Sequence, residues 1–256
     1  MDIRNHNRDA WNNYVKKGNQ WTKTVSPDEI TRAKKGDWNI VLTPTKPVPT
    51  SWFPDFKGQE VLCLASGGGQ QAPILAAAGG LVTTLDNSPL QLEQDRIVAE
   101  RENLPIQTVE GDMRDLSMFK NEQFILIVHP VSNIFVPEII PVWQEAFRVL
   151  KPGGVLLSGI NNPFSYIFDW EKIDREGVIE IRYSLPYSDT LHLPKDQLQE
   201  RINNHEALEF SHTLEEQIGG QIDAGFLIAG FYEDIAPDEL ISKYLPTFFA
   251  TKAIKY

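Results

Sequence analysis

The run Val61-Leu62-Cys63-Leu64-Ala65-Ser66-Gly67-Gly68-Gly69-Gln70-Gln71-Ala72-Pro73-Ile74-Leu75-Ala76-Ala77-Ala78-Gly79 constrains this chain more than any other stretch. Its opening, Val61 to Ala65, is apolar, follows the polar turn Lys57-Gly58-Gln59, and reads as a buried strand. Three glycines come next, then an Ala- and Leu-rich segment closed by Gly79-Gly80. Pro73 falls in the first turn of that segment, where a missing N–H costs nothing, and Gly79 is a stop signal. The order is strand, tight glycine turn, helix. Without Cβ atoms such a turn lets a ligand lie on the backbone, and the helix start offers unpaired N–H groups to a negative group. Gly67, Gly69 and Ala72 also fit the dinucleotide pattern G-x-G-x-x-G/A, which admits a nicotinamide-dependent oxidoreductase.

The sequel narrows the choice. Leu81 to Asp86 reads as a second strand ending in an acid, at the spacing suited to ribose hydroxyls. A third strand, Ile106 to Val109, runs into Glu110-Gly111-Asp112-Met113, and a fourth, Phe124 to Val128, ends at His129-Pro130. A helix then leads through Arg148-Val149-Leu150-Lys151-Pro152-Gly153-Gly154 into a fifth strand, Val155 to Ile160. This order resembles the class I S-adenosylmethionine-dependent methyltransferases, small-molecule type, over about residues 58–162. The resemblance implies a doubly wound, mostly parallel α/β sheet of Rossmann-like form, with S-adenosylmethionine as methyl donor.

It also implies roles. Ala65, Ser66, Gly67 and Gly69 stand where the family brings backbone against the methionyl end. Asp86, with Asn87 beside it, stands where the ribose hydroxyls are held. Asp112 and Met113 match the positions that take the adenine amine and cover the ring. His129 stands where the backbone touches the donor, and its imidazole is a candidate general base if the acceptor must lose a proton. Two departures mark this chain: the family's acid in the first strand is Cys63 here, and its first glycine is Ala65. Methyl transfer is an in-line displacement at carbon on an activated sulfonium, so alignment supplies most of the acceleration. A non-catalytic S-adenosylmethionine-binding protein is the third reading.

Composition bounds the acceptor. The formal charge of −11 over 256 residues would repel a phosphate backbone, so no nucleic-acid partner is expected, and a small molecule is favoured. One cysteine excludes an intrachain disulfide, the polar start is unlike a signal peptide, and the longest apolar stretch is too short to span a bilayer. A cytoplasmic protein without membrane partner or metal site is the expectation.

Flanking regions break the strand–helix rhythm. Residues 1–57 read as an N-terminal arm or lid, with a helix over Asn7 to Lys17 and a capping box at Ser26-Pro27-Asp28-Glu29. A proline-rich extended passage follows, from Thr43 to Pro49, and Trp21, Trp38 and Trp52 either pack the arm down or close over the cofactor. Residues 58–162 and 213–256 form the donor-binding domain, closing with strands at Leu227 to Glu233 and Phe248 to Ile254. Residues 163–212 read as an insertion over the acceptor, with strands at Val178 to Leu185 and Ala207 to Phe210. Asn162-Pro163-Phe164, after the fifth strand, reads as a turn; base-amine methylases carry a related motif after the fourth.

Overall fold

The computed structural model describes residues 1–256. Seven strands form one sheet in the order β3-β2-β1-β4-β5-β7-β6. These are β1 (Glu60–Leu64), β2 (Leu81–Asp86), β3 (Ile106–Glu110), β4 (Phe124–His129), β5 (Leu150–Asn161), β6 (Phe226–Asp234) and β7 (Phe248–Lys255). The first five run parallel, and β7 inserts antiparallel between β5 and β6. Strand order reverses between β1 and β4, which opens a crevice at the carboxyl ends of the strands.

Alternation along β1 feeds two apolar layers. Val61 and Cys63 face one, Leu62 and Leu64 the other, and all four are fully buried. The first layer holds α3 (Gln71–Ala77) and α4 (Pro89–Glu102), joined by Ile30, Ile40, Leu42, Val48, Trp52 and Phe56 from the N-terminal 57 residues. The second packs α5 (Ile140–Val149), whose Val142, Trp143, Ala146 and Val149 recur at helical spacing. The N-terminal region therefore supplies part of the hydrophobic core.

Local signals play out in the arm. Helix α1 (Ile3–Lys17) is capped by Asp2 and stops at left-handed Gly18. Helix α2 (Pro27–Lys34) has the expected capping box, Ser26 and Glu29 each serving the other's backbone N–H. A second such box, Thr213 with Glu216, opens the closing helical segment, which continues to Asp223.

The segment 163–212 departs from the sequence expectation. The two strands expected there are reduced to single bridges, Phe168 with Ile181 and Ser188 with Phe210. Arg182 N–H donates to the Ile167 carbonyl and Asp169 N–H to that of Glu180, but no further strand lies alongside to extend a ladder. The segment instead forms α6 (Trp170–Glu176), capped by Asp169, then α7 (Asp189–His192) and α8 (Lys195–Asn203).

Candidate active site

The carboxyl ends of β1, β2 and β3 and the loop after β4 surround a cavity of about 280 Å³. Ala65, Ser66, Gly67, Asp86, Asn87, Asp112 and Met113 all line it. Gly69 and His129 do not.

Ala65 leaves β1 with φ +46°, a left-handed conformation that an alanine adopts only at a cost, while its N–H stays on the Leu85 carbonyl. The backbone then turns so that Gly67 N–H donates to Asp86 Oδ2 at 2.9 Å. A Cβ at Gly67 would meet Gln91 Cβ at 2.8 Å and Asp86 Oδ2 at 3.1 Å, so only glycine lets the loop lie this close to the acid. Asp86 Oδ1 accepts from Ser88 N–H at 2.8 Å. Burial raises the Asp86 carboxyl to about 6 against the pull of backbone N–H groups from Ser88, Gly67 and Asn87. The carboxylate keeps acceptor capacity for a ligand hydroxyl.

Gly69 is held from behind. Its N–H donates at 3.1 Å to Oδ1 of Asp95, a wholly buried acid on α4 whose Oδ2 has no partner. Burial, with the nearby charge of Asp86, pushes the Asp95 carboxyl well above the usual range. Cys63, at the strand position where an acid was expected, is a fully buried neutral thiol. The acid under the glycine loop is thus delivered by α4. A signal existed: Leu92, Asp95 and Val98 share the buried stripe of α4, and an acid on such a stripe demands a partner.

His129 corrects the general-base expectation. Its imidazole is fully buried, with Nδ1 at 2.9 Å from the Leu64 carbonyl and Nε2 on the Asn133 side-chain amide. Burial lowers its pKa, outweighing those two contacts, and Trp143 packs edge-on against the ring. A polar chain continues through Gln217 and Gln221 to Thr251 on β7. The ring braces sheet against helix, with Nδ1 also 3.3 Å from the Ser132 hydroxyl, and His129 itself does not reach the cavity. Pro130, Val131 and Ser132, the next three residues, form that part of the wall.

Asp112 lies in the wall with its carboxylate already gripped by Arg114, Nη2 to Oδ2 at 2.8 Å and Nε to Oδ1 at 3.1 Å. Burial opposes its charge, and the guanidinium overcomes that and lowers its pKa. Arg4 and Asn87 exchange two hydrogen bonds, Arg4 Nε to Asn87 Oδ1 and Asn87 Nδ2 to the Arg4 carbonyl. Ile3, Arg4, Asn7 and Trp11 of α1 close one side of the cavity together with Trp21, whereas Trp38 and Trp52 pack into the core.

A strap from residue 41 to 47 closes the opposite side, and Val41 to Pro44 line the cavity. Gly159 permits it: an added Cβ there would meet the Leu42 carbonyl oxygen at 2.1 Å. An isolated glycine in an apolar strand was the available sign of such close approach. Asp234, 2% exposed at the end of β6, ties the strap down by accepting from Thr43 Oγ1 at 2.7 Å, Thr45 N–H at 2.8 Å, Lys46 N–H at 3.0 Å and the Thr45 hydroxyl. Burial works against its charge, but these donors prevail and bring the carboxyl to about 2.

The site's residues fit S-adenosylmethionine: a glycine turn that only a Cβ-free residue lets lie against Asp86, a strand-end acid with acceptor capacity to spare, and a wall that mixes apolar side chains with polar ones. Comparison with known proteins agrees. Residues 62–158 match the family model described as a methyltransferase domain. The chain is similar to a solved S-adenosylmethionine-dependent methyltransferase from Mesorhizobium loti, with a TM-score of 0.60 at 20% identity over 80% of this chain and 94% of that one. A similar fold occurs in geranyl diphosphate C-methyltransferase from Streptomyces coelicolor A3(2), with a TM-score of 0.54 at 12% identity over 79% and 76% of the two chains. At the level of sequence it is 54% identical over 250 residues to a protein named uncharacterized methyltransferase YbaJ, from Bacillus subtilis strain 168. That identity spans 98% of this chain and 97% of its relative, and with the domain match it makes this chain a member of the class I S-adenosylmethionine-dependent methyltransferases.

Proposed function

We propose that this enzyme transfers the methyl group of S-adenosylmethionine to a small-molecule acceptor that enters beneath residues 163–212. The observation that carries the reading is Asp86, set at the end of β2 in the cavity wall, hydrogen-bonded to Gly67, with acceptor capacity to spare. Asp86 holds the ribose hydroxyls, a charge-assisted pair of bonds. Ala65, Ser66 and Gly67 follow the methionyl end, Asn87 fixes the rim through Arg4, and Asp112 and Met113 bound the adenine. Gly69 acts indirectly, shaping the loop through Asp95. When bound, the donor supplies a methyl on a sulfonium already activated for displacement.

The chain's own part is alignment. The α1 side and the 41–47 strap exclude water, and no wall residue has to serve as a base for the displacement itself. Support for a small acceptor comes from the acidic surface, with its formal charge of −11, which disfavours nucleic acid. No helix is long and apolar enough to cross a membrane. Thermal unfolding tests the reading. S-adenosylhomocysteine at 100 times its dissociation constant should add about 2.7 kcal/mol of stability, whereas NAD and NADP should add nothing. A melting temperature raised by NAD and unmoved by S-adenosylhomocysteine would reject it.

A further inference from the structure

A second cavity, of about 500 Å³, lies under the 163–212 segment and shares Ile134 and Asn161 with the first as lining residues. Its wall has a different chemistry. Eight acidic side chains line it against two arginines, together with five aromatic rings. Asp189 is matched by Arg201 at 3.1 Å, Asp169 by Arg182 at 2.6 Å and Glu171 by Arg175 at 2.6 Å. The other five, Asp174, Glu200, Glu206, Glu209 and Glu239, enter no ion pair. Glu239, partly buried, keeps one carboxylate oxygen, Oε2, without a hydrogen-bond partner among the protein groups, which leaves it able to accept from a ligand.

Aromatic rings stack along one side of the cavity. Tyr166 and Tyr187 stack with centroids 5.4 Å apart, and Tyr183 leans on Tyr187 at 5.0 Å. Their hydroxyls are spent inward, Tyr166 donating to Glu209 Oε2 at 2.6 Å and Tyr187 to Asp189 Oδ1 at 2.8 Å. Tyr187 is stacked by His192 as well as Tyr166, and Arg182 lies over the Tyr183 ring, so the rings form a firm apolar wall while the unpaired carboxylates supply the attraction for a cation. An anion would meet repulsion from the same carboxylates.

We infer that this second cavity binds the acceptor by a cationic group, an amine or guanidine, and that the acceptor reaches the donor past Ile134 and Asn161. The inference rests on the donor reading above and names the acceptor's class. It says nothing of which acceptor atom is methylated; the carboxylates anchor one end and the shared wall sets the other toward the donor.

Protein saturated with S-adenosylhomocysteine is titrated calorimetrically with phenethylamine, agmatine and spermidine, and with 3-phenylpropionate and glutarate as anionic counterparts. At least one amine should bind with a dissociation constant of about 1 mM or tighter, and each carboxylate about tenfold weaker or worse. Glu239→Gln, and Glu209→Gln with Glu239→Gln, should weaken the amine by about tenfold while S-adenosylhomocysteine affinity stays at the wild-type value. That retained affinity also certifies the fold of each variant. Amines failing to saturate below about 10 mM, anions binding as well as amines, or variants binding amines as wild type does would each overturn the inference. Failure of S-adenosylhomocysteine to bind wild type would instead sink the donor reading, so the two failures are separable.

Discussion

The two adjoining cavities are walled by different means. The first is made of strand ends and turns, where glycines bring backbone close and the acids are held by protein groups: Asp86 by Gly67 and Ser88, Asp112 by Arg114. The second is made of side chains from short helices and irregular backbone, and most of its carboxylates form no ion pair. A backbone-built wall follows from sheet topology and suits a ligand common to a whole family. A side-chain wall can change residue by residue without disturbing the sheet, which suits an acceptor particular to one enzyme.

The sharpest way to separate the cavities is to damage one alone. Asp86→Ala should weaken S-adenosylhomocysteine binding by about 2–3 kcal/mol, roughly 30- to 150-fold, because the ribose loses charge-assisted bonds. Calorimetry showing wild-type affinity would remove Asp86 from the site. The wild-type protein should show a matching pH dependence. With its carboxyl raised to about 6, Asp86 is ionised at neutral pH, and the ligand favours that ionised form. Affinity should therefore be flat above about pH 7 and fall as pH drops through about 6, and Asp86→Ala should abolish that slope.

Asp234→Ala probes the strap that walls the first cavity, and its effect is on stability. The Asp234 carboxyl is depressed to about 2, so its contribution is present above the ordinary carboxylate range and lost as pH falls through about 2. Removing it should cost about 2 kcal/mol at pH 7. Denaturant midpoints of variant and wild type should converge between about pH 4 and 2; a gap that persists in acid would assign the loss to packing.

The smallest effect on turnover is expected at His129, which stands behind the wall of the first cavity. His129→Asn should leave the rate within a few-fold of wild type and its pH profile unchanged near neutrality, while stability falls by about 1–2 kcal/mol through the lost contact with Leu64. A hundredfold loss of rate at unchanged donor affinity would restore the imidazole as a base and place chemistry where the geometry puts a brace.

Much of the first cavity was legible in the sequence, and most of the second was not. Strand periodicity, the glycine turn and the strand-end acids are local signals that bring Ala65, Gly67, Asp86 and Asp112 to one edge in any parallel sheet of this order. His129 was located correctly in the chain, yet a strand-end residue has two faces to choose from, and its side chain turned inward. The segment 163–212 misled because alternation at 178–185 signals a strand only when a neighbouring strand exists to pair with it.

By itself, then, the sequence determined the alternation of strands and helices over 58–162, the capping box at Ser26, and the glycine turn at the end of the first strand. Each depends on residues within a few positions of one another, whose backbone preferences and periodicity act before any distant contact forms. Tertiary structure alone decided that Asp234 anchors a strap some 190 residues upstream and that Tyr166 meets Glu209 in a second cavity. Those outcomes rest on contacts between segments far apart in the chain. Only the packed sheet brings them within hydrogen-bonding distance, and the strength of each bond depends on the burial that packing creates.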